Sequence, residues 1–129
     1  METKRDKIVK LYKRYMLDAE DVYKHNHYTI ITRSGIEKIQ AFENIKIDYD
    51  VITCEPSFAT IKATASKEEA TIQTFGSALH GTGGSGNCTS WYVAEMAEKR
   101  AMSRAVLKLT GMYELDVFGA DESEEFIKK

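Results

Sequence analysis

Between Ile45 and Leu79 the chain carries three strand-like runs separated by two short turns, and this tandem constrains the fold more than any other stretch. Ile45, Ile47, Tyr49 and Val51 alternate with Lys46, Asp48 and Asp50, the period of a strand with one buried face. Glu55-Pro56-Ser57 reads as a turn, because proline fixes φ and cannot donate into a ladder. Phe58 to Ala65 is a second strand, Ser66 to Glu69 a second turn, and Ala70 to Leu79 a third strand. Strands connected this closely pair antiparallel, so the pattern predicts a three-stranded β-meander.

After a loop holding Gly81, Gly83, Gly84 and Gly86 the period changes to that of a helix. Thr89 or Ser90 is the expected N-cap and Gly111 the C-terminal stop. On a helical wheel Val93, Ala94, Ala97, Ala101 and Ala105 form a stripe of small residues that lets a helix lie close to a sheet. Trp91, Met102, Val106 and Leu109 continue around one side, and Tyr92, Met96 and Leu107 around the other. A helix apolar on several sides must be covered on several sides. One cover is the sheet. The second is a neighbouring subunit or the chain's own termini, and the small size of the chain favours the subunit.

Upstream, residues 1–17 form a basic amphipathic helix with Ile8, Leu11, Tyr12 and Tyr15 on one face. Residues 18–26 are polar and read as a connection, residues 28–31 as a short β-branched run. Thr32 or Ser34 can cap a second helix through about Phe42, with Gly35, Ile36 and Ile39 inward. The expected fold class is therefore α+β: a three-stranded antiparallel β-meander packed on a long α-helix (a β-β-β-α core), with N-terminal helices. Residues 1–129 make one domain, with 28–119 as its core and 120–129 as an acidic tail.

No apolar run is long enough to span a bilayer, and the N-terminus lacks a signal-peptide core, so a cytoplasmic protein with no membrane partner is expected. Cys54 and Cys88 are too few for a disulfide framework and read as free thiols. The formal net charge of −2 argues against gripping nucleic acid by bulk charge. Its distribution is uneven: Lys4, Arg5, Lys7, Lys10, Lys13 and Arg14 crowd the first helix, while Glu114, Asp116, Asp121, Glu122, Glu124 and Glu125 crowd the other end. Such asymmetry marks a binding face or attraction between subunits, or else a solvated helix and tail.

Gly81-Thr82-Gly83-Gly84-Ser85-Gly86 matches G-x-G-x-x-G, but a dinucleotide site also needs a βαβ unit and a following acid, which a meander does not supply. A Walker loop fails because no Lys-Ser/Thr follows the glycines. His25, His27 and His80 find no fourth ligand at metal spacing and read as loop histidines. No cofactor, no metal and no enzyme activity are expected. What is left is a single nucleic-acid strand, held by cations that track phosphates and by flat rings against bases. Arg100, Arg104 and Lys108 fall at successive i, i+4 steps, and Lys62 and Arg33 are further candidates. Trp91 and Tyr92 are candidates for base stacking, with Phe75 and Tyr49 as other nearby rings. Salt bridges to neighbouring acids are the competing reading of the cations, and a core position that of Trp91.

The order of elements, with the hairpin Phe58 to Leu79 and then AEKRAMSRAVLKLTG from Ala97 to Gly111, resembles the single-strand annealing protein superfamily. That group includes the Erf and Sak recombination proteins of phages and the eukaryotic annealing mediator of double-strand-break repair. Thr32 to Phe42 looks like the small helix preceding the sheet in these proteins. The resemblance implies side-by-side assembly into rings or arcs, a single strand in a basic groove, and annealing of complementary strands without ATP. Arg104 falls on the helix arginine of that motif and Lys108 on the basic residue after it. The chain departs from the pattern in being shorter and net acidic. The expectation is an oligomeric single-stranded-DNA-binding protein of phage-type recombination and repair. The alternatives are a small phage protein that binds a host protein, and a nucleotide-binding protein that uses the Gly81–Gly86 loop.

Overall fold

The computed structural model describes residues 3–25, 28–81 and 85–122. Helix α1, Lys4–Tyr15, begins with a reciprocal capping box in which the Thr3 hydroxyl accepts from the Asp6 amide and the Asp6 carboxylate from the Thr3 amide. Met16 ends it in the left-handed region (φ 56°). Strand β1, Val22–His25, then pairs antiparallel with β2, Tyr28–Ile31, so the stretch expected to be a connection contains a strand. Helix α2, Arg33–Glu43, buries Gly35, Ile36 and Ile39 as expected. Thr32 occupies its N-cap position without a side-chain capping bond; its hydroxyl donates to the Glu20 carbonyl instead.

Strands β3 (Lys46–Glu55), β4 (Phe58–Lys67) and β5 (Ala70–Leu79) form the antiparallel meander in sequence order, β4 central. Two-residue turns join them at Pro56-Ser57 and Glu68-Glu69, the second with Glu68 at φ 55°. The β3–β4 register shifts between Val51 and Thr53, which leaves Ile52 as a bulge. Helix α3, Val93–Leu109, packs across β4 and β5. A 3₁₀ turn, Met112–Leu115, leads to strand β6, Val117–Gly119, which pairs in parallel with β2.

The helix crosses the sheet on its small-residue stripe: Ala97, Ala101 and Ala105 are fully buried against Ala59, Ala63, Ala65 and Ala78. The other side of α3 is covered by this chain. Ile31, Ile36, Ile39, Val117 and Met112 pack with Met102, Val106 and Leu107 in one cluster, joined by Ile8 and Tyr15 of α1. A neighbouring subunit is therefore not needed to cover the helix, contrary to the expectation from its pattern. A second correction concerns the far half of β3: Ile45 is buried and Ile47 packs against the core as the alternation predicts, yet Tyr49 is 38% and Val51 63% exposed. A helix is about 10 Å wide and strands lie about 4.8 Å apart, so one helix covers two strands and β3 beyond Ile47 is left outside.

Buried carboxylates tie the N-terminal layer to the sheet. Glu43 accepts from the Tyr15 hydroxyl (2.5 Å), Arg14 (3.0 Å) and Lys67 of β4 (2.7 Å). Asp21 accepts from Ser34 (2.6 Å) and Lys38 (2.5 Å). Burial opposes ionisation of both. Hydrogen bonds from Lys67, Tyr15 and Arg14 outweigh it at Glu43, and those from Lys38, Ser34 and the Asp18 loop at Asp21, so each carboxyl is held at about 2. A depressed folded-state pKa adds stability above the ordinary carboxylate value and loses it below. The melting midpoint is therefore expected to fall as pH drops from about 4.5 towards 2. Glu43→Gln should lower the midpoint at neutral pH and flatten part of this acid dependence. An unaltered acid profile in that variant would remove Glu43 from the account.

Candidate nucleic-acid interface

Strand alternation gives the meander two chemically different faces. Ala59, Ile61, Ala63 and Ala65 of β4 and Thr74, Gly76 and Ala78 of β5 are buried towards α3. The opposite face carries Thr60, Lys62 and Thr64 of β4 and Gln73, Phe75, Ser77 and Leu79 of β5. Most of it is hydroxyl and amide: Thr60 and Ser77 share a hydrogen bond (3.0 Å), as do Gln73 and Thr64 (3.4 Å). Phe75 breaks this pattern. It is 50% exposed on a solvent face, directly across from Lys62 in the ladder. Leu79, opposite Phe58, extends the apolar end of the face, and Lys62 lies 3.9 Å from Asp50 on β3.

The predicted cations do not form one row. Arg100 is fully buried, which corrects its assignment as a phosphate ligand. Its guanidinium donates to three backbone carbonyls: Ser77 of β5 (2.8 Å), Asn87 of the loop (2.7 Å) and Asp121 after β6 (3.0 Å). Arg104, one turn on, is partly exposed and donates to the Phe75 carbonyl (3.0 Å) at the outer edge of β5. Lys108 is exposed, with its ammonium 5.6 Å from the centre of the Tyr113 ring. Arg33 begins α2, pairs with Glu37 (3.5 Å) and lies on the β3 side near Tyr49 and Glu98. The structure thus places Lys62 across the ladder from Phe75 and Arg104 on the backbone carbonyl of Phe75 at the strand edge, with Arg33 and Arg100 elsewhere.

The two stacking candidates are on the surface. Trp91 is 65% and Tyr92 71% exposed, immediately before α3, whose N-cap position is Tyr92 and not Thr89 or Ser90. The Ser90 hydroxyl still contributes, accepting from the Tyr92 amide (3.0 Å). Sequence reasoning missed His80. Its ring lies flat on the indole of Trp91, centroids 3.5 Å apart and planes 13° from parallel. No periodicity announces this contact, because a loop closure brings the two together. The G-x-G-x-x-G motif falls partly outside the described residues, at 82–84. Among the described residues no three His, Cys, Asp or Glu side chains converge on a metal-sized site.

The sheet edges differ. On β5 the carbonyls of Phe75, Ser77 and Leu79 accept from Arg104, Arg100 and the amides of Asn87 and Cys88, so this chain closes that edge itself. Among the described residues β3 pairs with β4 alone, and its Val51 and Ile52 (54%) are exposed. A separate basic surface surrounds α1. There Lys4, Arg5 and Lys24 rim a cleft floored by Ile8, Tyr12 and Leu115, and Lys4 also pairs with Asp116. No helix among the described residues is long and apolar enough to cross a membrane. In comparison with known proteins, the chain matches no family model, no curated protein and no solved structure.

Proposed function

We propose that this protein binds single-stranded DNA on the open face of its meander and, assembled side by side, promotes pairing of complementary strands in phage-type recombination in a host cytoplasm. The observation that carries the reading is Phe75, a half-exposed ring on a sheet face, flanked by Lys62 across the ladder and by Arg104 at the strand edge. A ring beside cations suits a base and its phosphates, and a flat sheet face lets several nucleotides spread. The β-β-β-α order and its resemblance to annealing proteins point the same way. The open β3 edge, with Val51 and Ile52 exposed, supplies a surface for assembly. That same edge favours the second reading, a protein that adds a strand from a host partner.

Mixing complementary strands with the protein in the absence of ATP tests the reading, with light scattering for mass. Faster annealing by an oligomer is expected. Lys62→Ala with Arg104→Ala should reduce the log–log salt slope of single-strand binding by about 1.4, at roughly 0.7 per phosphate. A monomer that neither binds nor anneals single strands would favour the host-protein reading instead.

A further inference from the structure

The glycine loop ends in a rigid construction. The Gly81 amide donates to the Cys88 carbonyl (2.9 Å), and the amides of Asn87 and Cys88 both donate to the Leu79 carbonyl (3.0 and 3.1 Å). The Asn87 side chain accepts from the Leu79 amide (2.8 Å), and the His80 amide donates to the Ser57 carbonyl (2.8 Å). Cys88 is buried, and its thiol contacts the Ser90 carbonyl (3.3 Å). Glycine is required at this closure. Gly81 has φ +146°, and a Cβ on Gly86 would meet the Leu79 oxygen at 2.6 Å and the Gly81 Cα at 2.8 Å. The two arms therefore touch, and their contact brings His80 under Trp91. One face of the indole is covered by imidazole while the side chain stays largely in solvent.

We infer that the His80–Trp91 stack is a preorganised, one-sided platform for a nucleobase, with Trp91 as the binding ring and His80 as its positioning residue. The inference rests on the single-strand reading and gives the strand an anchor beyond the Leu79 end of β5. An indole held from below loses little rotamer freedom when a base lands on it, so more of the stacking energy reaches affinity. His80 directly follows Leu79, the last residue of β5, and the alternation of that strand turns its side chain to the α3 side, so a strand leaving Leu79 reaches the platform by passing round the end of the sheet. Tyr92, exposed beside it, offers a second ring for the following base. In this account the loop glycines shape the support of a stacking ring and do not cradle a phosphate.

Trp91 is the sole tryptophan in the chain, so its emission reports on the platform directly. Oligothymidylate should quench it in a saturable way, with the midpoint given by anisotropy of the same labelled oligomer. An oligomer of abasic sugars should bind more weakly and leave emission nearly unchanged. Trp91→Ala should weaken binding about tenfold, with the melting midpoint kept, because the residue is mostly exposed. His80→Ala should weaken binding severalfold and shift the emission of the free protein, while His80→Phe, which restores a flat ring, should recover both. Oligomer binding with unaltered emission and unweakened Trp91→Ala binding would overturn the platform and leave the single-strand reading intact. Failure to bind any oligomer would overturn both. Quenching by free thymidine monophosphate as tight as by the oligomer would assign the ring to a mononucleotide and overturn its role on a strand.

Discussion

Arg100→Ala is expected to cost about 3 kcal/mol of folding stability or more, and to lower the melting midpoint by roughly 10 °C. The surface-ligand expectation was the reverse: a stable protein with weakened DNA binding. The guanidinium is fully buried and joins β5, the loop and the segment after β6 through the carbonyls of Ser77, Asn87 and Asp121. Each bond is charge-assisted, and alanine leaves three carbonyls on separate segments without this donor. Arg100→Lys should recover little, because one ammonium cannot span three acceptors on separate segments. Arg104→Ala, at a partly exposed side chain that bonds the Phe75 carbonyl, should cost less than Arg100→Ala, on the order of 1 kcal/mol. Thermal denaturation of the three variants decides. An Arg100→Ala protein that melts like the parent would show that the guanidinium ties nothing together.

Gly76→Ala should be comparably severe. A Cβ there would lie 2.1 Å from the Ala97 carbonyl oxygen and 2.5 Å from the Ala101 amide nitrogen, both in the backbone of α3. No rotamer change relieves a clash with backbone, so the helix must lift from the sheet. Overpacking of this kind costs about 1–3 kcal/mol, and the upper end applies because the lift carries Arg100, whose own Cβ is 3.0 Å from the site, away from its acceptors. The Thr74 hydroxyl, which donates to the Ala101 carbonyl (2.7 Å), would be pulled at the same time. Ser77→Ala, on the open face one residue away, removes only a hydroxyl contact to Thr60 and is the control. Equal melting midpoints for Gly76→Ala and Ser77→Ala would contradict so close a helix–sheet approach.

What the sequence made legible was what depends on near neighbours. The positions of the two turns, though not their two-residue length, the alternation of β4 and β5, the alanine stripe of α3 and the stop at Gly111 follow from local chemistry and are present. What it hid depends on pairing across the chain. β6 is three residues long and exists because β2 offers it a parallel edge, and β1 exists because β2 lies beside it. The exposure of Tyr49 and Val51 follows from the width of a helix against three strands, which no pattern within β3 records. Arg100 was misread for the same reason: an i, i+4 row of cations reads as a surface feature, and nothing nearby in sequence says that the edge carbonyls of β5 need donors. Of the candidate site, Lys108, Trp91 and Tyr92 are exposed and Lys62 and Arg104 partly so, while the His80–Trp91 contact follows from the closure of the loop.

The central claim is that a single strand lies on the open sheet face, and titrating labelled single-stranded and duplex DNA into the parent protein and a Lys62→Ala/Phe75→Ala variant tests it most directly. Both side chains are outside the helix-facing core, so the variant should fold and melt as the parent does. The expected result is salt-sensitive binding of the single strand in preference to duplex, weakened about tenfold or more in the variant. Equal affinity for duplex, or a variant that binds the single strand as tightly as the parent, would contradict the account.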